Sequence, residues 1–496
     1  MTQIKFAYAG FISFASKIFS VLTGLIFTLT VTRRLSTSDF GVWTLIGYLA
    51  SYFTWPSWIT RFWATRYTAR NVVNAPKTAI MTNLMISTVI ALAYLPLGAY
   101  IAHQTGADRT PFMLYGLFVF LSPIEDTLES VAQAKRPQAI GFAFVFYETT
   151  KVICGFLLVA SLRLGLVGAT LSVLLALTIQ ISSLLTRLFD LVFNGRFELG
   201  LARRWMRHGW LGVYNNLPGV LSGLDRFVIA TLAGASISIA YLGAVTTLST
   251  AISYTSSLAI ALYPRLLSGG GERDIDRAFR MVLMFLIPAS LGIFWLSEPS
   301  LALFRQEYVV ARLCLYFFVS ASFLSVLENI VNTSLMGTEM ADTSEKVSFK
   351  DFRNSRLFRL PTINLISLMF YLPAVVVLSL VYHQDQLWLA NAWSLLILGT
   401  QIAVLAAKLV YARRSIQLKI PVFDTLKFVL SSLIMIFIVS IVWRGGDYSD
   451  PIFLLISGLT PTIVAGVASY FSTLYLIDRE FRRVVTRIIK NLRHGE

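Results

Sequence analysis

Long apolar runs recur from one end of the chain to the other, and they constrain the fold more than any other feature. A helix that crosses a bilayer needs roughly 20 apolar residues, and a closed helix satisfies its own backbone polar groups where water is absent. The runs alternate too rarely for barrel strands. The sequence therefore predicts an all-α polytopic membrane protein with about 14 transmembrane helices. The runs lie near residues 9–32, 40–60, 79–102, 111–133, 139–162, 164–186, 209–233, 238–262, 280–297, 309–335, 361–382, 387–407, 425–443 and 452–476.

Charged residues are scarce, which fits this interpretation. They make up 14% of the 496 residues, against about 25% in soluble domains. The first run carries Lys17 and has no small-residue cleavage site. It is therefore interpreted as a retained span rather than a signal peptide.

Basic residues are concentrated in every second loop. Arg61 and Arg66 follow the second run, Arg280 precedes the ninth, and Lys408 follows the twelfth. Because loops rich in Lys and Arg remain in the cytoplasm, both termini are predicted to be cytosolic, in the inner membrane. The net charge of +16 then reflects loop anchors that face anionic membrane lipids, and nucleic-acid binding is not predicted.

A few ionisable residues fall within the predicted spans. Such groups are costly inside a bilayer and normally face a bundle interior or a watery cavity. Glu148 and Lys151 stand three apart on one helix face, so they either pair with each other or face a cavity. Asp225 and Arg226 are adjacent and point in different directions, so no pair is expected between them. The basic members are Lys17, Lys151 and Arg226, and the acidic ones are Glu125, Asp126, Glu129, Glu148, Asp225 and Glu328.

Four short segments carry a likeness to a known family. They are "RRLSTSDFGVW", which contains Arg33, Leu35, Phe40, Gly41 and Trp43, then "VAQAKRPQAIGF", "GLDRFVIATLAGASISIAYLG" and "ALYPRLLSGG". In this order they resemble segments of the polysaccharide and O-antigen flippases. These flippases form one branch of the multidrug/oligosaccharidyl-lipid/polysaccharide exporter superfamily. Residues 340–360 show no match to the family.

The resemblance implies a flippase that moves a polyprenyl-diphosphate-linked oligosaccharide to the outer leaflet by alternating access. A hydrated, cation-lined cavity would shelter the sugar and diphosphate while the polyprenyl tail stays in lipid. Lys17, Lys151 and Arg226 are the candidates to neutralise the diphosphate, since lysine supplies a point charge and arginine a planar fork. The partners expected are the lipid-linked glycan, anionic lipids, and the polymerase or glycosyltransferases of the pathway.

Other polar residues complete the candidate site. Asn215 and Asn216 stand near Pro218 in the seventh run, where a bent helix is expected and where amides can meet sugar hydroxyls. Asp225 is a further cavity candidate. Glu125 and Glu328 are candidates for coupling transport to a proton gradient, because they occupy equivalent places in the two halves.

A faint internal repeat supports two halves. Trp43 and Tyr241 each open a span after a polar turn, and repeated halves with a site between them are common in transporters. The predicted domains are a six-helix bundle over 1–190 and a second over 209–383, whose spans 7–12 continue to 410. Two additional helices and a basic cytosolic tail occupy 411–496.

Two other functions stay open. A cation-coupled multidrug exporter of the same superfamily requires an acidic, apolar cavity, which Glu125, Asp126 and Glu328 partly supply. A membrane-bound glycan polymerase or ligase normally has a large periplasmic loop, whereas the outside loops here are short. Without a Gly-Lys-Ser/Thr loop, an ATP-driven pump is not predicted. Cys154 and Cys314 lie in spans and indicate neither a disulfide nor a metal site, and neither an enzyme nor a bound cofactor is expected.

Overall fold

The protein was studied as a computed structural model of the 496-residue chain. It describes all residues except 1–5, 33, 36–41, 44, 45, 48, 51, 52, 106, 234, 235, 305, 340–352, 354, 415–420, 444, 446–451, 484, 485 and 487–496. Arg33, Phe40 and Gly41 of the hairpin motif lie outside the described residues. Throughout the described ranges, regular secondary structure is helical, without strands.

The first part of the chain forms seven labelled helices within the described residues. They are α1 (Phe6–Thr32), α2 (Trp58–Ala69), α3 (Ala75–Thr105), α4 (Arg109–Lys135), α5 (Gln138–Gly155), α6 (Gly165–Phe193) and α7 (Leu199–Arg207). A 3-10 turn over Trp55–Ser57 leads into α2, and a π-helical turn over Phe156–Ser161 extends α5.

The rest of the chain is equally helical where it is described. Its helices are α8 (Trp210–Ser222), α9 (Leu224–Leu232), α10 (Ser236–Ser253), α11 (Leu262–Leu267), α12 (Glu272–Trp295), α13 (Ser297–Ala302), α14 (Arg312–Gly337), α15 (Arg356–Val381), α16 (Gln386–Arg413), α17 (Val422–Val442) and α18 (Ile452–Ile477). The 3-10 segments Tyr254–Ala259 and Gln306–Ala311 follow α10 and precede α14.

Ten helices in the described part of the chain are long and apolar enough to cross a membrane. They include α3, α12 and the four helices from α15 to α18. The predicted first and fourth spans correspond to α1 and α4, which have 27 residues each. The predicted seventh span is divided at Gly223 into α8 and α9. The prediction of an all-α polytopic membrane protein is confirmed.

The helices group into two compact units. Unit 1 comprises Met1–Leu217, Ser257–Gly271 and Met336–Pro361, and unit 2 comprises Pro218–Ser256, Glu272–Leu335 and Thr362–Glu496. Each unit therefore takes segments from separate parts of the chain. The domain limits at 190, 209, 383 and 411 stay a prediction.

Unit 1 has an apolar core where α4, α5 and α6 meet, with Leu128, Ile140 and Leu184 among its buried members. α1 packs against α5 at Gly141, where an added Cβ would lie 2.7 Å from Ile12 Cγ2. A small residue is needed there because helices in lipid gain stability from close backbone approach.

Buried Arg66 corrects one sequence expectation. Its guanidinium donates to Tyr263 Oη at 3.0 Å, to the Met336 carbonyl at 3.1 Å and to the Glu339 carbonyl at 2.8 Å. The side chain is 0% exposed, so Arg66 is not the solvated loop anchor that its place after the second run predicted. It ties segments of unit 1 that are far apart in sequence.

Unit 2 holds the last two long helices, which pack on each other and on α12. Arg280 of α12 donates to both carboxylate oxygens of Asp478 at 2.8 and 2.9 Å, and it also pairs with Asp424 and Glu480. Tyr470 Oη donates to the Met284 carbonyl at 2.6 Å. Arg280 was likewise predicted to be a loop anchor, and instead it joins three elements of unit 2.

Candidate functional site

A polar cavity of about 440 Å³ lies within unit 2. That volume falls in the range of small-molecule sites. Six helices line it: α8, α9, α10, α14, α15 and α16. Three of its charged or ionisable lining residues were predicted from sequence, namely Asp225, Arg226 and Glu328.

Asp225 is positioned by an interruption between two helices. Pro218 lies in the last turns of α8, the chain turns at Gly223, and Asp225 then stands in the first turn of α9. A carboxylate is favoured there because unsatisfied N–H groups give a helix N-terminus partial positive charge. Asp225 Oδ1 accepts from the Arg226 backbone N–H at 2.6 Å. The expectation that the two side chains do not pair agrees with this geometry.

A hydrogen-bonded chain occupies the other oxygen of Asp225. Tyr371 Oη donates to Asp225 Oδ2 at 2.7 Å, and Trp393 Nε1 donates to Tyr371 Oη at 2.9 Å. Asp225 is 8% exposed and Trp393 is fully buried. The carboxylate is thus held by Tyr371 of α15, whose hydroxyl is in turn held by Trp393 of α16, and both carboxylate oxygens are engaged.

Arg226 contributes a positive charge to the same cavity. Its side chain is exposed and lines the space. Within the described part of the chain, no hydrogen bond or ion pair of its guanidinium to another side chain is formed. Its five N–H donors are therefore available to a ligand.

Glu328 is bound to a lysine that the sequence interpretation misplaced. Lys408 Nζ contacts Glu328 Oε1 in a close ion pair and donates to Asn332 Oδ1 at 3.0 Å. Lys408 was predicted to be a loop anchor after the twelfth run. That prediction is wrong, because α16 continues to Arg413 and the Lys408 side chain is 0% exposed. A buried cation requires a counter-charge, which Glu328 supplies.

Two amides face the cavity beside these charges. Asn364 of α15 and Gln401 of α16 are both in the lining. Asn364 Oδ1 is buried without a hydrogen-bond partner. The nearby hydroxyls of Ser367 and Thr400 donate to carbonyls of their own helices, at 2.9 and 2.7 Å.

Lys17 and Lys151 lie in unit 1, on helices that pack together. Lys17 Nζ is 4.1 Å from the centre of the Phe144 ring. Lys151 Nζ pairs with Glu148 Oε1 at 2.8 Å, and Thr23 Oγ1 donates to Glu148 Oε2 at 2.7 Å. Of the two alternatives for Glu148 and Lys151, the structure has the ion pair. A substrate-binding role for either lysine stays a prediction.

The acidic residues of α4 are held by neighbouring helices of unit 1. Gln180 Nε2 donates to Glu125 Oε1 at 2.6 Å. Arg61 Nη1 pairs with Asp126 Oδ1 at 2.7 Å. The predicted coupling residue Glu125 therefore has a neutral partner, whereas Glu328 has a cationic one.

Asn215 and Asn216 belong to the part of α8 in unit 1. Asn216 Nδ2 donates to the Gly212 carbonyl at 2.9 Å, one turn back on the same helix, and Asn215 Nδ2 donates to the Leu357 carbonyl at 3.4 Å. Both amide nitrogens thus satisfy backbone groups. Their predicted contact with sugar stays a prediction.

Sequence reasoning missed Tyr371, Trp393, Lys408, Asn364 and Gln401. Four of them stand inside apolar runs without a local charge pattern. Only the register of packed helices brings them to one place. Among the described residues, no group of three or more His, Cys, Asp or Glu side chains is arranged to hold a metal ion.

The fold matches that of membrane transporters and flippases of known structure. Over 95% of this chain and 99% of that chain, it is similar to the lipid II flippase MurJ in an inward closed conformation, at 15% identity and a TM-score of 0.59. A point mutant of the Vibrio cholerae MATE transporter VcmN matches over 83% of this chain and 98% of that chain, at 14% identity and a TM-score of 0.63. An outward-facing MATE family transporter of the MOP superfamily matches over 82% of this chain and 95% of that chain, at 13% identity and a TM-score of 0.62.

At these identities the likeness establishes the fold. The chain is a multi-pass membrane protein with the fold that MurJ shares with the MATE transporters. No protein-family model matches the sequence, and no curated protein sequence matches it.

Proposed function

We propose that the chain is a flippase that carries a polyprenyl-diphosphate-linked oligosaccharide from the cytosolic to the outer leaflet, for envelope polysaccharide synthesis. Alternating access would expose a cationic cavity to each side in turn. The expected partners are this lipid-linked glycan, anionic lipids, and the polymerase or glycosyltransferases that act before and after it.

The proposal rests on Arg226, whose guanidinium forms no hydrogen bond or ion pair to another side chain in the described part of the chain. The two lining carboxylates are already engaged, Asp225 by Tyr371 and Glu328 by Lys408. The charged group left to donate hydrogen bonds to a ligand is therefore the Arg226 guanidinium. A guanidinium recognises phosphate oxygens through paired hydrogen bonds, so the cavity favours an anionic head group over a cationic drug.

The extent of the fold match supports the same choice. The similarity to MurJ, whose name gives a lipid substrate, covers 95% of this chain. The similarity to MATE transporters covers 82 to 83%. A membrane potential that is negative inside also assists outward movement of an anion, by about 2.3 kcal/mol per charge per 100 mV.

Replacement of Arg226 tests the proposal. Arg226→Gln should weaken binding of a short-chain polyprenyl diphosphate by about tenfold or more, since hydrogen bonds to charged groups contribute about 1.5–3 kcal/mol, and should slow flipping in proteoliposomes. Arg226→Lys should retain part of both activities. Arg277→Gln is the matched control, because Arg277 is exposed and outside the cavity. Unchanged binding and flipping in Arg226→Gln would contradict the proposal.

A cation-coupled multidrug exporter is the second candidate. The presence of Asp225 and Glu328 in one cavity favours it, as does the fold match to MATE transporters. The same preparations distinguish the two candidates. An exporter would transport a cationic dye in a manner that depends on Asp225, and Arg226→Gln would not impair that transport.

Coupling to a proton gradient is part of the proposal, with Glu125 as the preferred residue. Protonation of Glu328 would leave buried Lys408 without its counter-charge, which is costly. Glu125 accepts from the neutral Gln180 and forms no direct ion pair within the described part of the chain, so its protonation does not strip a buried cation of its paired carboxylate. Glu125→Gln should therefore change the pH dependence of flipping. An unchanged profile would remove Glu125 from the coupling mechanism.

A further inference from the structure

The cavity of unit 2 contains two side-chain amides whose hydrogen-bonding groups are left unused. Asn364 Oδ1 is buried without a partner. No hydrogen bond of the Gln401 side chain is formed within the described part of the chain. The buried, unsatisfied oxygen of Asn364 is destabilising, and such a group in a native structure requires an explanation, whereas Gln401 is half-buried.

The two amides lie at one level of adjacent helices. α15 and α16 are joined by a short connection after Val381, so they run antiparallel, and the Tyr371–Trp393 hydrogen bond fixes their register. Asn364 precedes Tyr371 by two turns, and Gln401 follows Trp393 by just over two. At 1.5 Å per residue both amides stand roughly 10–12 Å along the helices from that bond.

The neighbouring polar side chains do not compete for the same role. Ser367 and Thr400 donate within their own helices, which leaves the amides as the uncharged groups that can serve a ligand. An amide offers both donors and an acceptor, and rotation about its last side-chain torsion exchanges their directions. Phe318 and Tyr371 supply aromatic surface to the same lining.

We propose that Asn364 and Gln401 form a subsite for the hydroxyls of a pyranose sugar, separate from the Arg226 end of the cavity. The inference rests on the proposed function, because it assigns the sugar of the lipid-linked substrate to the amides and the diphosphate to Arg226. A hydroxyl both donates and accepts, so one sugar ring can satisfy both amides. The distance along the helices leaves room for a diphosphate between the sugar and the Tyr371–Trp393 end.

The test compares head groups with and without sugar. The probes are farnesyl diphosphate, and farnesyl diphosphate linked to glucose, galactose or N-acetylglucosamine, with Kd measured on purified full-length protein. The wild-type protein should bind at least one sugar-bearing probe about tenfold tighter than the sugar-free probe. The variants are Asn364→Leu, Gln401→Leu and the double variant. Asn329→Leu is the matched control, since Asn329 is an exposed amide outside the cavity.

The double variant should lose the preference for sugar while its affinity for farnesyl diphosphate stays within about twofold. Thermal unfolding checks its fold, and Gln401→Leu alone serves if the double variant unfolds. Equal weakening of all probes, a retained preference, or no preference in the wild-type protein would overturn the subsite. Arg226→Gln should weaken all probes by one factor. If it weakens none while the amide variants lose the preference, the diphosphate assignment fails and the sugar subsite stands.

Discussion

Tyr371 holds the Asp225 carboxylate that stands next to Arg226 in the cavity. Asp225 and Arg226 are adjacent in sequence, and a loose carboxylate there would pair with the guanidinium or repel an anionic ligand. The Tyr371 hydroxyl holds Asp225 Oδ2 at 2.7 Å, and Trp393 fixes that hydroxyl from behind. We therefore expect Tyr371 to be a positioning residue that acts through Asp225.

Removal of the hydroxyl should expose this role. Tyr371→Phe should weaken binding of farnesyl diphosphate several-fold, because the freed Asp225 carboxylate competes with the diphosphate for the Arg226 guanidinium. One charge-assisted hydrogen bond contributes about 1.5–3 kcal/mol. Asp225→Asn should change the affinity little, and adding it to Tyr371→Phe should restore binding. The measurement is Kd for the four proteins of this double-mutant cycle. Equal loss in Tyr371→Phe and in the double variant would show that Tyr371 does not act through Asp225.

Glu328 and Lys408 should behave as one stabilising unit. Glu328→Gln leaves a buried ammonium unpaired, and we expect it to lower the free energy of unfolding by about 3–5 kcal/mol. Glu328→Leu with Lys408→Met should recover much of this loss. Thermal unfolding in detergent measures both effects. The exposed pair Glu298–Arg312 is the control, and Glu298→Gln should cost at most about 1 kcal/mol. A similar small loss for Glu328→Gln would contradict the argument.

The sequence predicted part of the cavity and not the rest, for a physical reason. Asp225, Arg226 and Glu328 stand out because a charge within an apolar run is costly wherever it points. Tyr371 and Trp393 do not stand out, since aromatic residues are ordinary in spans and their hydrogen bonds depend on helix register. Lys408 was misplaced because hydropathy locates the end of a run only to within about a turn.

A buried carboxylate just after α18 helps to fix the last helix pair to α12. Asp478, just after α18, accepts from Arg280 at 2.8 and 2.9 Å and from the Phe481 N–H at 2.8 Å. Burial acts to raise the pKa of Asp478. The Phe481 N–H, Arg280 and Lys427 outweigh it, and the pKa of Asp478 is lowered below 3.8. Counting positive charges along the sequence could not reveal the contact between Arg280 and Asp478, because the count records the charge of Arg280 and not its partners.

Asp478→Asn should destabilise the protein in a pH-dependent way. Because the pKa of Asp478 is lower in the folded state, its contribution to the free energy of unfolding is complete above the pKa of the unfolded state, about 3.9. That contribution is lost as the pH falls through the pKa of the folded state. We expect Asp478→Asn to lower the free energy of unfolding by about 1–3 kcal/mol at pH 7. The difference from the wild-type protein should be the same at pH 5 and should shrink below about pH 4. Unfolding of both proteins between pH 3 and 8 measures the difference.

Glu480→Gln is the matched control for that experiment. Glu480 contacts the same Arg280, but its side chain is 69% exposed, and solvent screening makes such a pair weak. Its replacement should change stability by well under 1 kcal/mol at every pH. A difference between wild type and Asp478→Asn that disappears between pH 7 and 5 would contradict the lowered pKa.

For the whole molecule, bilayer thickness made the helices predictable and left their grouping undetermined. Most predicted spans coincide with helices because each run must reach across about 30 Å of hydrocarbon, although the seventh is divided at Gly223. The units, in contrast, combine distant segments: unit 1 includes Ser257–Gly271 and Met336–Pro361. Buried Arg66 is a clear example, since its partners Tyr263 and Met336 follow it by some two hundred residues or more. No local pattern specifies such partners.

Orientation in the membrane is the prediction that applies to the whole molecule. The distribution of basic residues predicts that the α6–α7 connection lies in the cytosol and the α3–α4 connection outside. In a protein with Cys154 and Cys314 replaced, Thr110→Cys at the start of α4 and Asn194→Cys just after α6 each introduce one exposed thiol. A membrane-impermeant maleimide should label Thr110→Cys in intact cells and Asn194→Cys only after permeabilisation. The reverse pattern would invert the topology and would contradict the prediction that both termini are cytosolic.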